Sequence, residues 1–285
     1  MTEAAVQRLK ARMVPAEPPA AWQGLDISYR DSLRANRALR WDNWGARYAL
    51  GFTRAEFDVI RPFVRHYIAL AYQAEADPSL VGELSALADS YGLLDEQVRA
   101  GLADLGHALL TRDRIRRGEL AVDEQVVTEL TRDRIADHRV LNRLLYLLRD
   151  QPVDEEHLAL LDPWLRLQDL RADLANYAED IAWDRFNLLR LFVQGHGHSQ
   201  ATHKLRAYRS ALLRQALGRL PGASTPALRK LLLAGLPDLG LELTAAVVSK
   251  LPRAVLLPLL TSLGRTGELA TAPVPAPLPE SANSR

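Results

Sequence analysis

The chain has 285 residues, 48% apolar and 25% charged, with 36 Lys and Arg against 35 Asp and Glu. This is ordinary globular composition, which excludes global disorder, and a formal charge of +1 excludes a strong overall attraction to nucleic acid. With no cysteine, disulfide staples, cysteine nucleophiles and thiolate-ligated zinc or iron–sulfur centres are excluded.

Residues 1–21, which contain the run VPAEPPA, are expected to form a flexible arm. They lack the apolar run of a secretory signal, and no later stretch reaches about 18 uncharged apolar residues, so a cytoplasmic chain without a transmembrane helix is expected. A helical domain is predicted over 22–218, because apolar residues recur at i, i+3, i+4 and i+7 and no set of alternating strands is present. Its first helix covers about 25–50, where Trp41, Trp44 and Tyr48 share a face that suits a core better than a ligand wall. The second starts at Thr53, with Glu56 completing a capping box, and runs to about Ala74. Asp77-Pro78 opens the next, which stops near Gly92, and another runs from about Asp95 to Gly118. A short helical segment follows Asp123, then a helix over about 129–148. The longest pattern runs from Asp154 to about Val193, with a kink expected at Pro163. GHGHSQATH breaks it. His196, His198 and His203 there look like a loose metal tract, although glycine-flanked histidines after a helix are more often plain loop. A last helix reaches about Leu220. Leu-Pro then recurs at 220–221, 236–237 and 251–252, predicting a short-helix extension over 219–265, and residues 266–285 have the composition of a disordered tail.

The segment 162–192 carries most of the chemical information. On a helix, Asp169, Asp173, Asn176, Asp180, Asp184 and Asn187 fall on one stripe that contains no base. Leucines bracket this stripe and the opposite face is apolar too, so the carboxylates face an interior. Crowded carboxylates there need protons, bound metal or partner cations, and both a Mg2+–phosphate site and an Arg-paired face meet that need. The preceding helix adds Asp133 and Asp137. If it packs antiparallel about a turn near Val153, Asp137 comes level with Asp169 and Asp133 with Asp173, and His107 can join them.

The run LQDLRADLANYAED resembles the second aspartate-rich helix of class I isoprenoid synthases, the squalene/phytoene and trans-prenyl branches in particular. The resemblance covers about 30 residues. It implies an all-α orthogonal or antiparallel bundle with a central cavity, in which Mg2+ held by Asp169 and Asp173, with Asp180 and the pair Asp133 and Asp137 as further ligands, clamps a prenyl diphosphate. The sequence departs from that family in having no Asp-Asp pair, and Tyr177 stands where a further ligand at four-residue spacing belongs. Arg112, Arg114, Arg116, Arg117, Arg132 and Arg134, from TRDRIRRG and the repeated TRDR, are the candidate diphosphate partners, since guanidinium forks suit phosphate. Ordinary helix-surface ion pairs would use the same residues. Three functions are therefore open. The first is a terpene-synthase or prenyl-transferase type of enzyme that ionises a prenyl diphosphate. The second is a non-enzymatic helical interaction or regulatory protein whose stripe pairs with arginine. The third is a carboxylate/histidine metal enzyme using His107 and His138.

Overall fold

A computed structural model describes residues 3–14, 32, 33, 35, 50–219 and 274–278. The helix predicted over 25–50, with Trp41, Trp44 and Tyr48, falls largely outside the described residues, as does the Leu-Pro extension. Among the described residues the regular structure is helical, with no strand. The helices are α1 (Glu3–Arg12), α2 (Arg54–Ala74), α3 (Val81–Ser90), α4 (Glu96–Arg116), α5 (Glu124–Asp133), α6 (Ala136–Leu148), α7 (Glu155–Ala182), α8 (Leu188–His196) and α9 (His198–Arg219). No helix among them is long and apolar enough to cross a membrane. The chain divides into two compact units. The described residues up to 113 and those of 136–158 belong to the first, and 114–135, 159–219 and 274–278 to the second.

The first unit is built on α2. Its start is the predicted capping box: Thr53 N–H donates to Glu56 Oε2 at 2.7 Å, and Glu56 N–H donates to Thr53 Oγ1 at 3.3 Å. Phe63, Val64, Tyr67 and Leu70 of α2 are buried with Leu84 and Leu87 of α3, Val98 and Leu102 of α4, and Leu141 and Leu144 of α6. Residues 3–12, read from sequence as part of an arm, form α1, and its Leu9 is buried in this core.

The second unit contains α7 from Ala159 onward, part of a 28-residue helix that runs unbroken through Pro163. A proline there removes the N–H that would have bonded the Ala159 carbonyl. That carbonyl instead accepts from the guanidinium of Arg219, the last residue of α9. Gly195 lets α8 approach α5 closely, because a Cβ at 195 would lie 2.5 Å from Val127 Cγ2. On its other side α8 packs against α9, with the Phe192 and Tyr208 rings 5.8 Å apart.

Two of the helix ends that differ from the sequence expectation lie at the acidic stripe. The helix expected over 129–148 is two, α5 and α6, separated by a turn at Arg134 and Ile135. The helix expected to reach Val193 stops at Ala182. Arg185 N–H bonds Asp180 O and Asp184 N–H bonds Ile181 O, while Asp184 itself has φ of 49°, the left-handed residue that ends a helix. The break read over 195–203 shrinks to Gly197, with φ of 75°, so His198 and His203 are helical.

Candidate functional site: the acidic stripe of α7

Residues four and seven apart on a helix stand nearly one above the other, which places Asp169, Asp173 and Asp180 in line on α7. Asp173 and Asp180 are buried, at 4% and 9% exposure. An isolated carboxylate at such depth is costly, so the partners of these groups decide what the stripe is for.

The first partner is Arg134. The turn between α5 and α6 brings its guanidinium onto the stripe, with Nη2 3.1 Å from Asp173 Oδ1 and Nη1 3.5 Å from Asp169 Oδ2. Its other face lies over the Phe186 ring, 5.6 Å from the centroid. The second partner is the start of α8. Leu188 N–H, one of the donors that a helix leaves without an internal acceptor, donates to Asp173 Oδ2 at 2.9 Å. The positive end of the α8 dipole therefore faces the Asp173 carboxylate. The third is Asn187, which is 1% exposed. Its Oδ1 caps α8 by accepting from Leu189 N–H at 3.0 Å, and its Nδ2 donates to Asp173 O at 2.7 Å and Asp180 Oδ2 at 2.9 Å. Arg185 Nη1 stands 3.9 Å from Asp180 Oδ1.

Burial is the largest influence on both buried acids and raises the pKa of each. At Asp173 the Arg134 charge and the Leu188 N–H work against burial, and the Asp169 charge works with it. At Asp180 the Asn187 hydrogen bond opposes, and the neighbouring Asp173 and Glu179 charges add to the rise.

The other sequence candidates have contacts of their own or belong to the first unit. Asp133 is taken by its neighbour Arg132 in a bidentate pair of 2.9 and 2.8 Å. Asp137 belongs to the first unit, where its backbone carbonyl accepts from Tyr67 Oη at 3.0 Å. His107 and His138 are also in the first unit. The expected set of His107, Asp133, Asp137, Asp169 and Asp173 is thus divided between the two units. Levelling Asp133 with Asp173 required one straight helix over 129–148, and the turn at Arg134 and Ile135 removes that premise for Asp133. Arg112, Arg114 and Arg116 lie on the last turns of α4 and Arg117 just beyond it, where Arg117 pairs with Glu119 at 3.3 Å. Asn176 is exposed, and Asp184 leaves the stripe to pair with Arg190 at 2.6 Å.

The donor set does not suit the Mg2+ implied by the isoprenoid-synthase resemblance. Arg134 and Leu188 N–H engage both oxygens of Asp173, and Asn187 holds Asp180. Among the described residues, no group of three or more His, Asp or Glu side chains is placed to hold a metal ion. The residues that sequence reasoning missed as partners are Asn187, Leu188, Arg185 and Phe186. The available signal was Asn187 itself, a strong N-cap residue in front of an apolar run. Comparison with family models, with curated proteins and with solved structures finds no match for this chain.

Proposed function

We propose that this chain is a non-enzymatic helical interaction or regulatory protein, in which the acidic stripe of α7 is an internal clasp holding α8 and the end of α5. The observation that carries this reading is Arg134 at 3.1 Å from Asp173, with Leu188 N–H on the other oxygen of the same carboxylate. Those two contacts supply what a buried anion needs, a countercharge and a hydrogen bond, from the chain itself. A class I isoprenoid-diphosphate enzyme would instead turn these carboxylates toward Mg2+ and diphosphate, and would have to release Arg134 and the α8 start to do so.

The test is to incubate the full-length protein with Mg2+ and prenyl diphosphates of graded length, following diphosphate release, and to titrate Mg2+ with pyrophosphate by calorimetry. The expected result is no release and no saturable binding. Mg2+-dependent release that disappears in Asp173→Asn would replace this reading with the enzymatic one.

A further inference from the structure

Residues 274–278, Val-Pro-Ala-Pro-Leu, lie against the second unit. Val274 is 6% exposed and Pro275 and Pro277 are half-buried, so the segment is seated on a surface. Its last residue is gripped at both backbone groups. Leu278 N–H donates to Tyr177 Oη at 3.1 Å, and Leu278 O lies 3.1 Å from His198 Nε2. A carbonyl oxygen only accepts, so this contact requires the His198 tautomer with hydrogen on Nε2. Tyr177 is the α7 residue, 4% exposed, that stands four residues after Asp173, and His198 opens α9 beyond Gly197.

The local sequence explains why this segment can dock in an extended form. Proline occupies 273, 275, 277 and 279, so each intervening residue precedes a proline. Proline fixes its own φ, and the residue before it is pushed to extended or polyproline II geometry. The run is therefore extended before it binds and loses little entropy on docking. Only Val274, Ala276 and Leu278 retain an N–H, and the Leu278 N–H is the one Tyr177 takes. Among the described residues, the segment contributes one buried apolar side chain, two half-buried prolines and two backbone hydrogen bonds, and it carries no charged group. That is the chemistry of proline-rich peptide recognition.

We propose that the Tyr177–His198 surface is a recognition site for an extended segment with proline at alternate positions, and that the chain's own residues 274–278 occupy it as an intramolecular latch. A partner carrying such a segment must displace the tail to bind. The proposal uses groups outside the acidic clasp and does not depend on the reading of that clasp.

Two measurements on the full-length chain test it. The first follows hydrogen exchange at the Leu278 amide, which in the latched protein is slowed at least tenfold relative to an unstructured chain and in Tyr177→Phe is accelerated about fivefold, the worth of one hydrogen bond. The second titrates a fluorescent peptide of residues 272–280 into wild type and into Val274→Ser/Leu278→Pro, which alters only the tail. The altered chain should bind the peptide at least tenfold more tightly, because its own segment no longer competes. Equal binding to both proteins, no binding to the altered chain, or an unprotected Leu278 amide in wild type would overturn the proposal. Protection that vanishes on dilution together with a dimer would also overturn the intramolecular latch, and would assign the surface to the tail of a second copy.

Discussion

Asn187 and Asp180 stand on opposite sides of a helix end and share a 2.9 Å hydrogen bond in which the amide donates to the carboxylate. The same amide nitrogen reaches Asp173 O and the same side chain caps α8, so one buried residue ties the end of α7 to the start of the next helix. Asn187→Asp keeps the shape but exchanges this donor for a second carboxylate. We predict a loss of about 3 kcal/mol or more at neutral pH, the scale of an unpaired buried charge. Much of it should return on acidification, as the added carboxyl takes up a proton. Chemical denaturation at pH 7 and pH 5 measures both.

The raised pKa values of Asp173 and Asp180 set the sign of the pH dependence. A carboxyl whose folded pKa lies above its unfolded value holds its proton more tightly in the native state. Its contribution to stability is therefore fully present below the ordinary value of 3.8 and falls as pH rises through the folded pKa. The Arg134 charge restrains that rise at both residues. Arg134→Gln should accordingly steepen the loss of stability with rising pH above about pH 4. Denaturation midpoints between pH 4 and pH 8 that run parallel in wild type and variant would contradict this.

Two helical glycines should respond oppositely to alanine. At Gly106 a Cβ would meet Val81 at 3.6 Å, ordinary contact, so Gly106→Ala should stabilise by about 0.5–1 kcal/mol through the backbone alone. At Gly195 the Cβ would lie 2.5 Å from Val127 Cγ2 and 3.3 Å from Val122 Cγ1. Short branched side chains cannot swing clear, and overpacking of about 1–3 kcal/mol should outweigh the propensity gain. Urea midpoints of the two variants should therefore move in opposite directions.

Helicity, the Thr53 capping box and the stops at Gly92 and Gly118 were legible because each has a local signature: apolar periodicity, a paired cap, or a residue suited to positive φ. The missed stop at Ala182 has a local cause. Asp184 occupies the left-handed position that Gly92 and Gly118 occupy elsewhere, with φ of 49°, and a carboxylate at a helix end reads as an ordinary solvated residue. Overlooking the stop at Asp184 extended the stripe onto Asn187 as if it lay on α7. Asn187 does reach the stripe, but from the next helix and through its amide. The stripe itself was visible in its spacing and lack of bases, and an arginine-paired face was one of its two readings. Which arginine pairs with it was not visible, because Arg134 reaches Asp173 across 39 residues through a turn that periodicity had smoothed into a helix.

The most direct test of the internal clasp is a set of thermal melts of wild type and Asp169→Asn/Asp173→Asn, each with and without Mg2+ and pyrophosphate. The clasp predicts that removing both carboxylates strands Arg134, costing about 3 kcal/mol, the low end for a buried pair, since Arg134 and Asp169 keep 16% and 19% side-chain exposure. The melting temperature should fall by several degrees, and Mg2+ with pyrophosphate should move neither protein. A double variant as stable as wild type or more so, together with a wild type stabilised by Mg2+ and pyrophosphate, would contradict the clasp and return the stripe to metal–diphosphate chemistry.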